Sequence, residues 1–359
     1  MTNKINPVDF NNQQLYIGLD VHHKHWSVTI KANQIELRRL SMDPDPEKLA
    51  SYLRTHFPGA NCYTVYEAGF CGYWIHRQLE GYGIHSIIAS PNEIPTAYKE
   101  KEQRDDPRDS RKLARELEKG SLKGIYIPEI LQQEMRSLVR LRYQQSRNQA
   151  RLKNQIKGYL HFYGHKLPED FHYRQWSAAF IHTLRQLEFS SPIGRRHLDI
   201  QLDNLLYARG QQLRTIRSIR QFIKENNFES TIKLLTSVPG IGFITAATLF
   251  TELFDIRRFS SFDQLAKYCG VVPSVRSTSD TILSASLSRA NHPVLREMLV
   301  EASWTAVKKD DSLSSAFLVY CKRMSKQRAI IKIAKKLLSR IRYVWTTGKE
   351  YEFSVVKVK

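Results

Sequence analysis

Four carboxylates sit where a sheet-bearing chain could do phosphoryl chemistry. Asp20 closes the apolar run Leu15-Tyr16-Ile17-Gly18-Leu19, and Glu67 closes Val65-Tyr66. Asp106 and Asp109 stand three apart in Asp106-Pro107-Arg108-Asp109, a spacing that puts both on one helix face. A carboxylate at the end of a buried strand is costly unless something pairs with it. Converging carboxylates repel unless cations lie among them, and hard divalent ions with oxygen ligands meet that need. Two Mg²⁺ ions roughly 4 Å apart would clamp the attacking and leaving oxygens at a scissile phosphate. Each residue also has a plainer use. Asp106 before Pro107 suits an N-cap, with Asp109 at a capping-box position, and Glu67 before Ala68-Gly69 suits a surface turn. The four together, in this order, favour the metal. His22, His23 and His25 crowd the residues after Asp20. Their spacing matches no usual ligand set, so an exposed hairpin turn is expected there.

The elements that must position these groups follow from the patterning. Gln14 to Met42 contains three β-rich runs separated by short polar turns, which predicts an antiparallel meander. Helix and strand then alternate: a helix over Pro46–His56, a strand over Cys62–Glu67, a helix over Tyr73–Gly81, a strand over Ile84–Ala89 and a helix over Pro107–Lys119. That order is the order of an RNase H-like domain, a mixed sheet covered by helices. There the first and fourth strands are neighbours, so Asp20 and Glu67 converge, and the last helix crosses the same edge. The predicted catalytic domain runs over 13–125.

Beyond Pro128 the strand signals cease. Leu131–Tyr159 is helical, with Arg142, Gln145 and Gln149 breaking its apolar seam. Leu198, Leu202, Leu205, Arg209, Gln212, Ile216, Ile219 and Ile223 follow 4-3 spacing with two polar interruptions. These predict a helical hairpin or coiled-coil linker over 126–228 that spaces domains or makes a dimer seam. The stretch from Gly164 to Gly194 reads as loop with one short helix. A helical C-terminal domain follows over 229–348, with helices at Phe243–Phe254, Pro293–Lys309 and Gln327–Trp345 and a polar serine-rich loop over Ser274–Ser288. The fold class is thus α/β plus all-α.

The charge balance names a partner. Fifty-five Lys and Arg against 35 Asp and Glu give +20, which on a folded chain points to a polyanion. No acidic residue lies between Asp311 and Glu350, a stretch that holds Lys322, Arg323, Lys326, Arg328, Lys332, Lys335, Lys336 and Arg340. A solvated face normally mixes signs, so this one is expected to meet the phosphates of double-stranded DNA. Pro239-Gly240-Ile241-Gly242 between helices suggests a helix-hairpin-helix turn, where Gly240 and Gly242 let backbone amides approach a phosphate. A plain glycine-rich helix connection is the comparable alternative. No apolar run approaches the ~18 residues of a membrane span, and the polar start shows no signal peptide. Four scattered cysteines exclude a zinc ribbon and a disulfide framework, so a cytoplasmic, nucleoid-associated protein is expected.

These motifs together resemble the DEDD transposases of bacterial insertion sequences, a RuvC-like group related to Piv-type DNA invertases. The resemblance rests on Tyr-Ile-Gly-Leu-Asp20, Tyr-Glu67-Ala-Gly and Asp106-x-x-Asp109-Ser-Arg-Lys-Leu-Ala. It continues in Leu-Leu-Thr-Ser-Val-Pro-Gly-Ile-Gly-Phe-Ile-Thr-Ala, Tyr-Cys-Gly-Val-Val-Pro273 and Leu295-Arg-Glu-Met-Leu-Val-Glu-Ala-Ser-Trp. It implies a RuvC-like domain, a helical linker and a C-terminal domain carrying a nucleophilic serine. It also implies a structured guide RNA encoded by the element, the bridge-RNA-guided mode. Two departures stand out. Asp105 precedes Asp106 and could compete with it, and Ser110 follows Asp109 where the family commonly has alanine. The serine run Ser274-Val-Arg-Ser277-Thr278-Ser279-Asp280 lacks the family's glycine. Counting back from Leu295 selects Ser277, counting forward from Pro273 lands on Thr278, and Ser279 is the reserve.

The implied mechanism is Mg²⁺-dependent strand cleavage and exchange through a serine–DNA intermediate. It is one that needs no ATP, and no nucleotide-binding motif is present. Two sites with two strands each call for a homo-oligomer, a dimer or tetramer, with the helical hairpin as its interface. Two rivals remain open: a RuvC-like nuclease or junction resolvase that uses water, and a non-catalytic nucleic-acid-binding protein whose carboxylates are only caps.

Overall fold

The computed structural model describes residues 10–95, 106–166, 176–272, 276–278, 281–283 and 292–353, with side chains left out at 106–107, 276–278 and 281–283. The chain divides into two compact units, Met1–Ile127 and Pro128–Lys359.

The first unit is a five-stranded sheet with helices on both faces. Strands β1 (Gln14–Val21), β2 (Trp26–Ala32) and β3 (Ile35–Met42) form the antiparallel meander. Helix α1 (Pro46–His56) leads to β4 (Asn61–Glu67), and α2 (Trp74–Gly81) to β5 (His85–Ala89). Helix α3 (Asp106–Glu118) follows. The strand order is β3-β2-β1-β4-β5, with β1, β4 and β5 parallel. Asp45 caps α1 by accepting from the Glu47 amide at 2.8 Å, and Pro46 occupies the first turn, where its missing N–H costs nothing.

Period-2 alternation divides the sheet's faces. Leu15, Ile17 and Leu19, with Trp26, Val28, Ile30 and Tyr66, pack against Leu49 and Leu53 of α1 and Ile75 and Leu79 of α2. The other face packs Val65 and Ala89 against Leu113 of α3. Burying apolar groups on both faces of the central strands is what such a layered sheet requires.

The second unit is mostly helical. Helices α4 (Ile130–Phe162) and α6 (Pro192–Glu225) form a long hairpin, with α5 (Ala178–Arg185) packed at its far end. Helices α7 (Glu229–Thr236), α8 (Phe243–Leu253) and α9 (Phe262–Tyr268) follow. A short antiparallel ribbon, β6 (Arg276–Thr278) with β7 (Thr281–Leu283), interrupts the helices. This corrects the expectation of an irregular serine-rich loop and of no strands beyond Pro128. Thr278 opposite Thr281 leaves a two-residue connection, and β-branched residues at the ribbon's end favour extended backbone. Helices α10 (Pro293–Lys309), α11 (Asp311–Cys321) and α12 (Lys326–Thr347) complete the unit. Its core joins Met135 and Val139 of α4, Ile219 and Ile223 of α6, and Ile333, Leu337 and Ile341 of α12. No described helix is long and apolar enough to cross a membrane.

Candidate active site

Asp20 and Glu67 end neighbouring parallel strands. The last paired couple of β1 and β4 is Leu19 with Tyr66, so the two carboxylates follow side by side. They share the face of Gly18 and Val65, which is the face that α3 covers. Gly18 explains how closely. A Cβ there would lie 2.0 Å from the Ser110 carbonyl oxygen and 2.6 Å from the Ala114 amide. Only glycine lets α3 rest its backbone on β1.

The direction of α3 is set by polar pins. Thr29, opposite Gly18 on β2, shares a 2.9 Å hydrogen bond with buried Ser110. At the far end, Lys31, opposite Tyr16, pairs with Glu118 at 2.9 Å. Helix α3 therefore runs antiparallel to β1, and its first turn, with Asp106 and Asp109, lies toward the strand end that carries Asp20. Ser110, a departure from the family's alanine, is one of these pins.

The expected convergence of all four carboxylates is not reached among the described side chains. No group of three or more His, Cys, Asp or Glu lies close enough to hold a metal ion there. The Asp106 side chain and Asp105 lie outside the described residues. Asp20, with a 21% exposed side chain, has its Oδ2 3.2 Å from His22 Nε2. His22 stacks on His25 at 5.4 Å, and His23 lies tilted against Phe70 at 4.1 Å. The histidine turn is thus a partner of Asp20, a role its spacing did not signal.

The donor chemistry still fits a divalent ion. Mg²⁺ is usually held by one or two carboxylates, waters and substrate phosphate rather than by an all-protein cage. Asp20 and Glu67 on one face, with Asp109 half-buried in α3, supply oxygen donors of that kind.

In the second unit, Ser277 lies on β6 opposite Ile282, with Thr278 beside it. Ser279 lies outside the described residues. Gly240 has φ +83, and a Cβ would meet the Ala302 carbonyl oxygen at 2.2 Å and the Ala306 amide at 3.0 Å. Its glycine is demanded by α10 packing over the α7–α8 turn. Gly242 caps α8 in extended conformation with open space around its Cα, as an anion-binding helix start needs.

The basic residues divide. Lys322, Arg323, Lys326, Arg328, Lys332 and Lys336 line the α11–α12 turn and the outer side of α12, exposed or half-buried. Lys335 bonds Asp263 at 3.0 Å. Arg340 is engaged inside the fold, with Asp310 at 2.9 Å, Ser312 at 3.1 Å and the Tyr351 hydroxyl. A carboxylate brought from a distant helix end accounts for this guanidinium, so Arg340 holds α11 and α12 together.

A buried cluster went unseen in the sequence. Glu252, whose side chain is 1% exposed, accepts from Arg140 at 2.6 and 2.8 Å and meets His292 Nε2 at 3.0 Å, with Arg136 at 3.6 Å. His292 Nδ1 accepts the Leu295 amide at 3.3 Å, which suits a neutral ring with its proton on Nε2. Burial raises the Glu252 pKa, but the hydrogen bonds from His292 and Arg140 outweigh it and bring it to about 2. The i, i+4 spacing of Arg136 and Arg140 was the available signal. Their partner lies more than a hundred residues away.

Two family models match the chain: a transposase model of the DEDD type for the IS110 group over residues 17–165, and the "Transposase IS116/IS110/IS902 family" over residues 232–318. The chain belongs to the IS116/IS110/IS902 family of transposases. Among its relatives, y4qE of Sinorhizobium fredii, whose name assigns it provisionally to the transposases, is 28% identical over 68% of this chain and 58% of its own length. The transposase for insertion sequence element IS1111A of Coxiella burnetii is 22% identical over 77% of this chain and 75% of its own. That for IS1533 of Leptospira borgpetersenii is 22% identical over 81% and 85%. The first model begins at Ile17, just ahead of Asp20, and takes in Glu67, Asp106 and Asp109. The second takes in Gly240, Gly242 and Ser277.

Proposed function

We propose that the chain is an insertion-sequence transposase that cuts and rejoins DNA at a divalent-metal site on Asp20, Glu67, Asp106 and Asp109. The observation that carries this reading is the pair of strand-end carboxylates on the α3 face, register-adjacent on β1 and β4 and lying in the region matched by the DEDD model. Bound Mg²⁺, as one ion or two, would supply charge neutralisation at the scissile phosphate. Asp20, Glu67 and Asp109 hold oxygen donors toward it, and His22 orients the Asp20 carboxylate.

The nucleophile we propose is the Ser277 hydroxyl, carried by the second unit of the same chain or of a partner subunit. Its Oγ–P bond forms as a DNA P–O bond breaks, and the serine proton goes to the leaving oxygen. A hydroxyl of the exchanged strand then breaks the Oγ–P bond and restores the serine. The number of phosphodiester bonds is conserved, so no nucleotide is consumed. The family resemblance adds a structured guide RNA, and exchange of strands between two sites calls for a homo-oligomer of at least two subunits.

The test is chemical. With a cleavable DNA and Mg²⁺, the wild type should yield a covalent protein–DNA adduct that Ser277→Ala abolishes and Ser279→Ala retains. Metal-dependent cleavage without any adduct would leave a water-using nuclease of the same acidic site. No cleavage in any divalent metal would leave a nucleic-acid-binding protein.

A further inference from the structure

The hairpin of α4 and α6 is apolar at both ends and polar in the middle. At one end Met135 and Val139 join Ile219 and Ile223. At the other, Ile156 and Leu160 pack with Leu198, Leu202 and Leu205. Between them the helices meet through Gln212, which donates to Ser146 at 2.7 Å, and Gln149, which donates to the Ala208 carbonyl at 3.3 Å.

Arg142, Lys153 and Arg209 lie in this middle stretch, each half-buried. Among the described residues none of the three has a carboxylate partner, and Arg142 Nε is buried without any hydrogen-bond partner. Helix α4 carries no acidic residue after Glu134, and α6 none between Asp203 and Glu225. Burial pulls Arg142 and Arg209 below the usual guanidinium range. Burial, then the nearby Arg209 and Lys157, does the same to Lys153 within its own range.

Packing does not ask for cations here, because leucines would close the seam. A desolvated, unpaired cation costs stability, and three along one seam suit a polyanion with regularly repeated charge. The space beside Arg142 is suitable. Arg142 and Ser146 also line an open cleft of about 1010 Å³ between α4 and α10, with Arg147, Arg151, Asn154 and Thr245. Glu297 and Glu301 stand on its α10 side, so like-charge repulsion would direct an anion toward α4.

We propose that the polar middle of the helical hairpin binds the phosphodiester backbone of nucleic acid, with Arg142, Lys153 and Arg209 as the groups that engage its phosphates. This rests on the nucleic-acid reading given above.

The test uses the full chain carrying Arg142→Met, Lys153→Met and Arg209→Met together. Binding to a random-sequence duplex DNA and to a stem–loop RNA is measured across a salt series, alongside thermal unfolding and oligomeric state. The melting temperature should hold or rise while affinity falls. The slope of log K against log salt should flatten by about 0.9 for each duplex phosphate no longer neutralised, or about 0.7 for each single-strand phosphate. The arm that flattens identifies whether DNA or RNA occupies the seam. Single variants Lys153→Met and Arg209→Gln, each expected to release one phosphate, serve if the triple variant does not fold. Unchanged slopes in both arms, with the wild type binding normally, would overturn the proposal and leave the cations as devices of helix register. Affinity that falls only in step with the assembly would overturn it in favour of a subunit interface. A wild type that binds neither probe would sink the nucleic-acid reading itself.

Discussion

Two carboxylate sites in this chain are built on opposite plans. Glu252 is sealed in the second unit and saturated by Arg140, His292 and Arg136. Asp20 stands at a strand end with a 21% exposed side chain, its Oδ2 3.2 Å from His22 Nε2. The first plan fixes charge with charge and leaves nothing for chemistry. The second keeps oxygen donors at a rim that solvent reaches, where a hydrated cation and a phosphate can enter. The difference shows that acidity alone does not mark an active site. Solvent access is what sets the two acids apart, with Glu252 sealed and Asp20 at the rim.

The comparison breaks most easily at Asp20. Asp20→Asn should lower strand cleavage by more than the roughly 10- to 100-fold that loss of an outer-shell metal group costs, while duplex binding in a gel-shift assay stays near wild type. Retained cleavage would place Asp20 among the structural acids with Glu252. The converse substitution, Glu252→Ala, should destabilise the second unit by up to roughly 3–5 kcal/mol by removing the buried carboxylate that Arg136, Arg140 and His292 share, read by denaturant unfolding. The first unit's melting should not move.

A smaller effect is expected from the packing beneath the rim. Gly18→Ala places a methyl against the α3 backbone, at about 1–3 kcal/mol of overpacking. It should also impair cleavage, because α3 carries Asp106 and Asp109. Unchanged cleavage with lowered stability would separate the helix from the site.

The pH dependence sharpens the contrast further. The Glu252 pKa is about 2 in the folded chain against an ordinary 4.5. Its contribution is therefore complete above about 4.5 and is lost as pH falls from there through about 2. Glu252→Gln should flatten unfolding free energy across that window. The smallest effects belong to the basic helix. Lys332→Met with Lys336→Met should reduce the duplex salt slope by about 0.9 for each phosphate that goes unneutralised. Lys335→Met, which breaks an exposed pair with Asp263, should change stability by no more than about 1 kcal/mol.

Much of the first unit was legible because its signals are local. Alternation in Leu15-Ile17-Leu19, the Asp45-Pro46 cap and the short turns between β-rich runs each act within a few residues, and the bounds expected for α1 match those observed. The acids at the ends of β1 and β4 were legible for the same reason. A carboxylate that closes an apolar run must emerge at the strand's end.

Sequence alone determined which residues could do chemistry and on which elements they ride, because periodicity and capping are read within a single segment. It also showed a run of cations without acid between Asp311 and Glu350. Tertiary structure alone decided which charges stay available. It brought Asp310 to Arg340 and Asp263 to Lys335, and Glu252 to Arg140 across 112 positions. It turned Gly240 toward the α10 backbone, and it left Arg142, Lys153 and Arg209 half-buried in the hairpin seam. Pairing between distant segments depends on how elements pack, and no local pattern encodes which acid will meet which base.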